Sequence, residues 1–129
     1  RLPGTRQIYL NDYPSNLFLD GACGKLSGSP IPGLGIDATE GREIDNQGIA
    51  LRGKIIQATD SFHQYRWNFI GPLNPSFRPH GYCASNTWFT TYEKSMAIQG
   101  NKLGTAHPNA AGHAAYGNLI RQALVAQLG

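Results

Sequence analysis

Charge, cysteine, methionine and long apolar runs are all scarce in this chain. Only 15% of its residues are charged, and its eleven basic and eight acidic side chains leave a formal charge of +3. The basic residues are scattered, with no Lys/Arg run or stripe, so the electrostatic footprint of a nucleic-acid binder is missing and none is expected as a partner. No apolar stretch approaches the length that crosses a bilayer as a helix, so no membrane span is expected. Two cysteines, Cys23 and Cys83, stand far apart in neither a CxxC nor a metal-like spacing, and no cofactor motif is present. The pair reads either as two buried thiols or as one disulfide of an exported protein, which would stabilise the fold by about 2–4 kcal/mol. Arg1 is not followed by a charged-then-apolar leader, so a processed or partial chain is expected.

What is plentiful is glycine and proline. Sixteen Gly and eight Pro in 129 residues describe a loop-rich chain of one domain, or of part of one. Residues 6–10 read as a short strand, stopped by Asn11-Asp12-Tyr13-Pro14. Residues 15–39 then read as one long Gly/Pro-rich loop, pinned at Cys23. Ile44, Gly48, Leu51, Ile55, Ala58 and Phe62 recur at threes and fours, which predicts a helix over 43–64 with one apolar stripe. Trp67-Asn68-Phe69-Ile70 reads as a buried strand ended by Gly71-Pro72. Strand, helix and strand in that order are the parts of an α/β crossover unit. Periodicity is weak through 73–108, which reads as loops with a helical turn or two. Tyr116, Leu119, Ile120, Ala123, Leu124 and Leu128 predict a terminal helix over 110–128, with Asn109 as its N-cap. Two strands and two long helices are too few to cover both faces of a parallel sheet, so either a missing half or a partner chain completes it or the loop regions hold further strands.

The chemistry-bearing residues centre on Gly104-Thr105-Ala106-His107-Pro108-Asn109-Ala110-Ala111-Gly112-His113. A histidine held between a loop and a helix start suits a general base, which must stay oriented toward a nucleophile; the competing reading of His107 is a surface histidine that caps the helix with Asn109. His113 reads as packing or as a donor behind the base, His80 as part of the local fold around Cys83, and His63 as a solvent-facing helix end. The two histidines at 107 and 113 lack the spacing of a zinc helix, so no metal is expected. None of the seven serines (15, 27, 29, 61, 76, 85, 95) lies in a Gly-x-Ser-x-Gly elbow or a Gly-Asp-Ser block. The aspartates at 12, 20, 37, 45 and 60 are not spaced as a carboxylate pair.

His107-Pro108-Asn109-x-x-Gly112-His113 resembles the last motif of the SGNH (GDSL-type) hydrolases, serine esterases and lipases on a three-layer α/β/α, flavodoxin-like fold. Ile8 to Pro14 resembles the strand and Tyr-Pro turn that follow the block supplying the oxyanion-hole Asn. The helix at 43–64 leading to Trp67–Ile70 resembles the crossover before the last sheet strand. Phe77-x-x-His80-Gly81-Tyr82-Cys83 with Trp88 resembles the loop ahead of the catalytic His in secreted bacterial members, whose cysteines commonly pair. The resemblance covers nearly the whole chain but only the C-terminal half of the family's domain.

It implies that His107 is the catalytic histidine, that the chain is secreted or periplasmic, and that no cofactor is needed. The serine and oxyanion donors would come from an N-terminal half or a separate chain. The family's acid sits three residues before the histidine, where this sequence has Gly104. That departure leaves a Ser-His dyad held by a backbone carbonyl, an acid from elsewhere, or a weakened enzyme; losing the orienting acid of a triad lowers the rate by about 10⁴. Trp88 and Phe89 are candidates to line an acyl pocket, with ordinary core as the competing reading. The expected activity is therefore hydrolysis of an ester by acyl transfer, and the isolated chain is not expected to be active. The competing functions are an inactive binding or accessory module on the same scaffold, and a structural subunit without a small-molecule site.

Overall fold

A computed structural model describes residues 7–18, 31, 33–71 and 73–128. Cys23 and most of the expected 15–39 loop lie outside the described residues. The order is β1 (Ile8–Asn11), α1 (Ala38–Ser61), β2 (Trp67–Ile70), α2 (Asn74–Phe77), α3 (Tyr92–Gln99) and α4 (Ala110–Leu128), with 3₁₀ turns at His63–Tyr65 and Arg78–His80. Mixed helix with a two-stranded parallel sheet is the fold among the described residues.

β1 and β2 pair in parallel, Ile8 opposite Trp67 and Asn11 opposite Ile70, with α1 lying between them in sequence. This is the crossover unit that the strand–helix–strand order predicts. The expected helix over 43–64 is corrected to 38–61. Its start is set by chemistry that periodicity does not carry. Asp37 accepts hydrogen bonds from the backbone N–H groups of Thr39 and Glu40, while the Glu40 side chain accepts from the Asp37 N–H, a reciprocal capping box. Those same N–H groups hold the Asp37 carboxyl below its ordinary pKa. The expected buried stripe also shifts. Ala38, Gly41, Asp45 and Thr59 are the buried positions, while Ile44, Leu51 and Phe62 are about half exposed. Small residues face inward because the helix lies close to the chain it covers: a Cβ at Gly48 would sit 2.7 Å from Ser15 Cβ.

One buried ion pair ties the crossover together. Asp12, immediately after β1, is fully buried; its Oδ2 accepts from Arg52 Nε on α1 at 2.9 Å and from the Leu73 N–H beyond β2 at 3.3 Å. Arg52 also lies over the Phe69 ring, 5.7 Å from its centroid. The carboxylate is thereby shared by both strand ends and the helix between them.

The main core gathers around Phe77, Phe89, Tyr82, Phe18 and Ile31. Phe77 meets Trp88 and Tyr116 edge-on, with ring centroids 5.0 and 6.2 Å away. The 73–108 region, expected to be loops with a helical turn or two, thus supplies most of the aromatic packing and the eight-residue helix α3. α3 starts at Thr91, whose hydroxyl accepts from the Lys94 N–H, and ends at Gly100 with φ +69°. That left-handed closure is the usual work of glycine. α4 packs its first half onto this core through Tyr116 and Leu119.

Candidate functional site

His107 sits in the turn between α3 and α4, and neighbouring backbone fixes that turn. The chain runs antiparallel beside 88–90: the Thr90 N–H donates to His107 O at 2.8 Å, Ala106 N–H to Thr90 O at 2.9 Å and Asn109 N–H to Trp88 O at 2.8 Å. The residue before the histidine, Ala106, takes φ +65°, a left-handed conformation that costs an L-residue about 1–2 kcal/mol.

Asn109 secures the other flank. Its Oδ1 caps α4 by accepting from the Gly112 N–H at 3.0 Å, and its Nδ2 donates to the carbonyls of Thr87 and Phe89 at 2.9 and 3.3 Å. Gly112 is buried directly against Trp88; a Cβ there would lie 2.3 Å from the Trp88 carbonyl oxygen. Asn109 and Gly112 of the motif therefore have a shared physical role: they hold the helix start against strand-like residues 88–90 and so set where His107 points its backbone.

The imidazole of His107 is exposed. It borders a cleft of about 180 Å³ together with Tyr13, Pro14, Pro108, His113 and Tyr116. Tyr13 and Pro14 directly follow β1, so the cleft opens outside the carboxyl end of a parallel strand, where α/β sheets hold their ligands. Tyr116 joins the two walls. Its phenol donates to the Asp12 carbonyl at 2.6 Å and accepts from Asn11 Nδ2. Burial raises its pKa, against the lowering effect of the Asn11 bond and with added push from Asp12 and Tyr13. Among the described residues no serine and no carboxylate lines this cleft.

Gly104, three residues before His107, packs under the end of α3: a Cβ there would meet the tip of the Gln99 side chain and stand 3.1 Å from Ser95 Oγ. The Gly104 N–H donates to Ser95 Oγ at 3.1 Å, and its carbonyl accepts the His107 N–H at 3.2 Å. Ser95 is itself fully buried and donates to the Asn101 carbonyl at 2.7 Å. This serine is a structural bond of the turn below His107.

The remaining sequence candidates separate. Phe89 is fully buried in the core and does not border the His107 cleft. Trp88 is half-buried, stacked on His80 with centroids 3.9 Å apart and planes within 8°. His80 Nδ1 lies 3.1 Å from the Asn86 carbonyl, which only accepts, so Nδ1 carries the proton. Trp88 and His80 line a different, open groove with Asn109. His113 does share the cleft with His107. His63 is exposed in the turn after α1. Cys83 is half-buried against the core and is not a free thiol.

Sequence reading passed over Tyr13, Pro14 and the phenol of Tyr116 as parts of the site. Tyr13-Pro14 was legible as a strand terminator and as the Tyr-Pro turn of the resemblance, and Tyr116 only as one point of an apolar stripe. A polar tip on a stripe residue was the available signal, since a buried phenol needs a partner. Among the described residues no group of three or more His, Cys, Asp or Glu could hold a metal ion, and no helix is long and apolar enough to cross a membrane. Comparison with known proteins finds no matching family model, curated protein or solved structure.

Proposed function

We propose that this chain is the histidine-bearing part of an SGNH-type serine ester hydrolase with a three-layer α/β/α fold. The observation that carries the reading is the placement of His107. An exposed imidazole, on a turn held by bonds from both flanks, borders a cleft outside the carboxyl end of β1. In this reading His107 takes the proton from a seryl hydroxyl as that oxygen bonds to the ester carbonyl carbon. It returns the proton to the departing alcohol oxygen when the old C–O bond breaks. A water molecule then repeats the sequence on the acyl-enzyme and releases the acid.

Among the described residues no serine lines the cleft, so in this reading the nucleophile comes from outside them, from a further segment or a partner chain. Among the described residues no carboxylate lines it and position 104 is glycine, so in this reading the histidine works in a Ser-His dyad oriented by backbone, or with an acid from elsewhere. A Cys23–Cys83 disulfide and a secreted or periplasmic location belong to the same proposal, as does the absence of any cofactor. The bare lining of the cleft favours a second reading, a binding module that has kept the scaffold without the chemistry.

Labelling with a fluorophosphonate serine probe, followed by intact-mass measurement of this chain and everything that co-purifies with it, separates the two. The hydrolase reading expects a serine-bearing segment or partner that gains the probe mass, with labelling lost in His107→Ala. Absence of labelling from every species would overturn it in favour of the binding module.

A further inference from the structure

The groove beside Trp88 does not include His107 and has a chemistry of its own. It measures about 750 Å³, within the roughly 300–1,000 Å³ of small-molecule sites. Its central feature is a ring held from two sides. His80 stacks on Trp88 with centroids 3.9 Å apart and donates from Nδ1 to the Asn86 carbonyl. Phe77 in turn packs edge-on against the indole, which anchors this column of rings in the main core. Among the described residues no second ring covers the other face of His80. The polar groups of the groove divide into engaged and open ones. Asn109 and the Thr87 hydroxyl are taken up by backbone partners. Ser85 and Lys94 also line the groove, and their side chains make no hydrogen bond or ion pair among the described residues. No carboxylate among those residues lines it, so the charge it presents is the Lys94 ammonium.

We infer that this groove binds a small molecule with a flat aromatic ring and an anionic group, the ring lying on the open face of His80 and the anion facing Lys94. A flat ring is favoured because it extends a column that is already parallel, its planes within 8°. A sugar ring is disfavoured, since the indole face that would carry it is covered by His80. An anion is favoured because an uncompensated cation attracts one and repels a second cation. The platform is also ordered before a ligand arrives: the stack and the Nδ1 bond fix the imidazole, so little side-chain freedom is lost on binding. The inference rests on neither reading of the His107 cleft.

Three probes separate the parts of this inference. 2-Naphthoate carries ring and charge, 2-naphthalenemethanol the ring alone, and cyclohexanecarboxylate the charge alone. Each is titrated into the 129-residue chain and followed by NMR. 2-Naphthoate is expected to move the His80 ring protons upfield through its ring current and to shift the Trp88 indole N–H, while the Trp67 indole in β2 stays still. 2-Naphthalenemethanol should bind about fivefold more weakly, the upper range for one exposed charge pair, and cyclohexanecarboxylate at least about tenfold more weakly. Lys94→Met, at an exposed position, should bring 2-naphthoate down to the affinity of the neutral ring and leave 2-naphthalenemethanol unchanged. Equal binding of cyclohexanecarboxylate, an undiminished affinity in Lys94→Met, shifts centred on Trp67 or on Ile120 and Leu124 of α4, or no shift at all would overturn the site.

Discussion

The crossover unit and the C-terminal region are held by different kinds of force. From β1 to β2 the organising contact is polar: Asp12 is buried between Arg52 and the Leu73 N–H, while Ile44, Ile49, Leu51 and Phe62 along α1 stay largely exposed. From Leu73 onward the organising contact is aromatic, with Phe77 and Phe89 fully buried and Trp88 and Tyr116 around them. A two-stranded parallel sheet buries little by itself, and parallel sheets are stable where both faces are covered. The C-terminal region needs no such cover to place its histidine. His107 is fixed by bonds to 88–90 and by Asn109, all within the aromatic region, and Tyr116 carries that order across to the strand ends.

The largest effect should come from breaking the polar side of this contrast. Arg52→Met leaves the Asp12 carboxylate buried and uncompensated, and a loss of about 3–5 kcal/mol is expected in urea unfolding. Hydrogen exchange should rise first in β1, α1 and β2, while amides near residues 106–109 keep their protection. Equal loss in both regions would show that the two fold as one unit.

Gly112→Ala probes the aromatic side. Its added methyl meets the Trp88 carbonyl, a backbone atom that cannot swing away, and a cost of about 1–3 kcal/mol is expected. Here the turn amides around His107 should exchange faster, with β1 and β2 unaffected. His107-dependent probe labelling should fall with them.

The smallest effect is a pH dependence. Burial raises the Tyr82 and Tyr116 phenols above their ordinary value of 10.0. The folded state therefore keeps protons that the unfolded chain releases. Their contribution is complete below pH 10.0 and is lost as pH rises through the higher folded values. Tyr116→Phe should flatten the alkaline limb of a stability–pH curve followed by circular dichroism. An unchanged limb would mean that this phenol is as wet in the folded state as in the unfolded one.

How much of this was legible beforehand follows the same divide. Trp67–Ile70 and the terminal helix were readable because apolar periodicity is local, and Asn109 was readable as a cap because its partners lie three residues on. The start of α1 was missed: Asp37 and Glu40 act through hydrogen bonds, to which a hydrophobic pattern is blind. The buried face of α1 was also misjudged, since close approach selects Ala38, Gly41 and Gly48, and smallness leaves no mark in a hydropathy stripe. Asp12 and Arg52 are 40 residues apart, and no spacing rule joins residues at that distance. The site was half visible. His107 announced itself through the Pro-Asn that follows, but its cleft depends on Tyr13 and Tyr116 meeting across the fold.

The left-handed Ala106 has a consequence of another kind. At φ +65° its Cβ is on the crowded side of an L-residue, whereas the mirror-image residue is at ease there. Position 106 is therefore a place where the molecule's handedness works against it. A D-alanine introduced there by chemical ligation would fit the existing backbone, stiffen the turn and leave every side chain around His107 as it is.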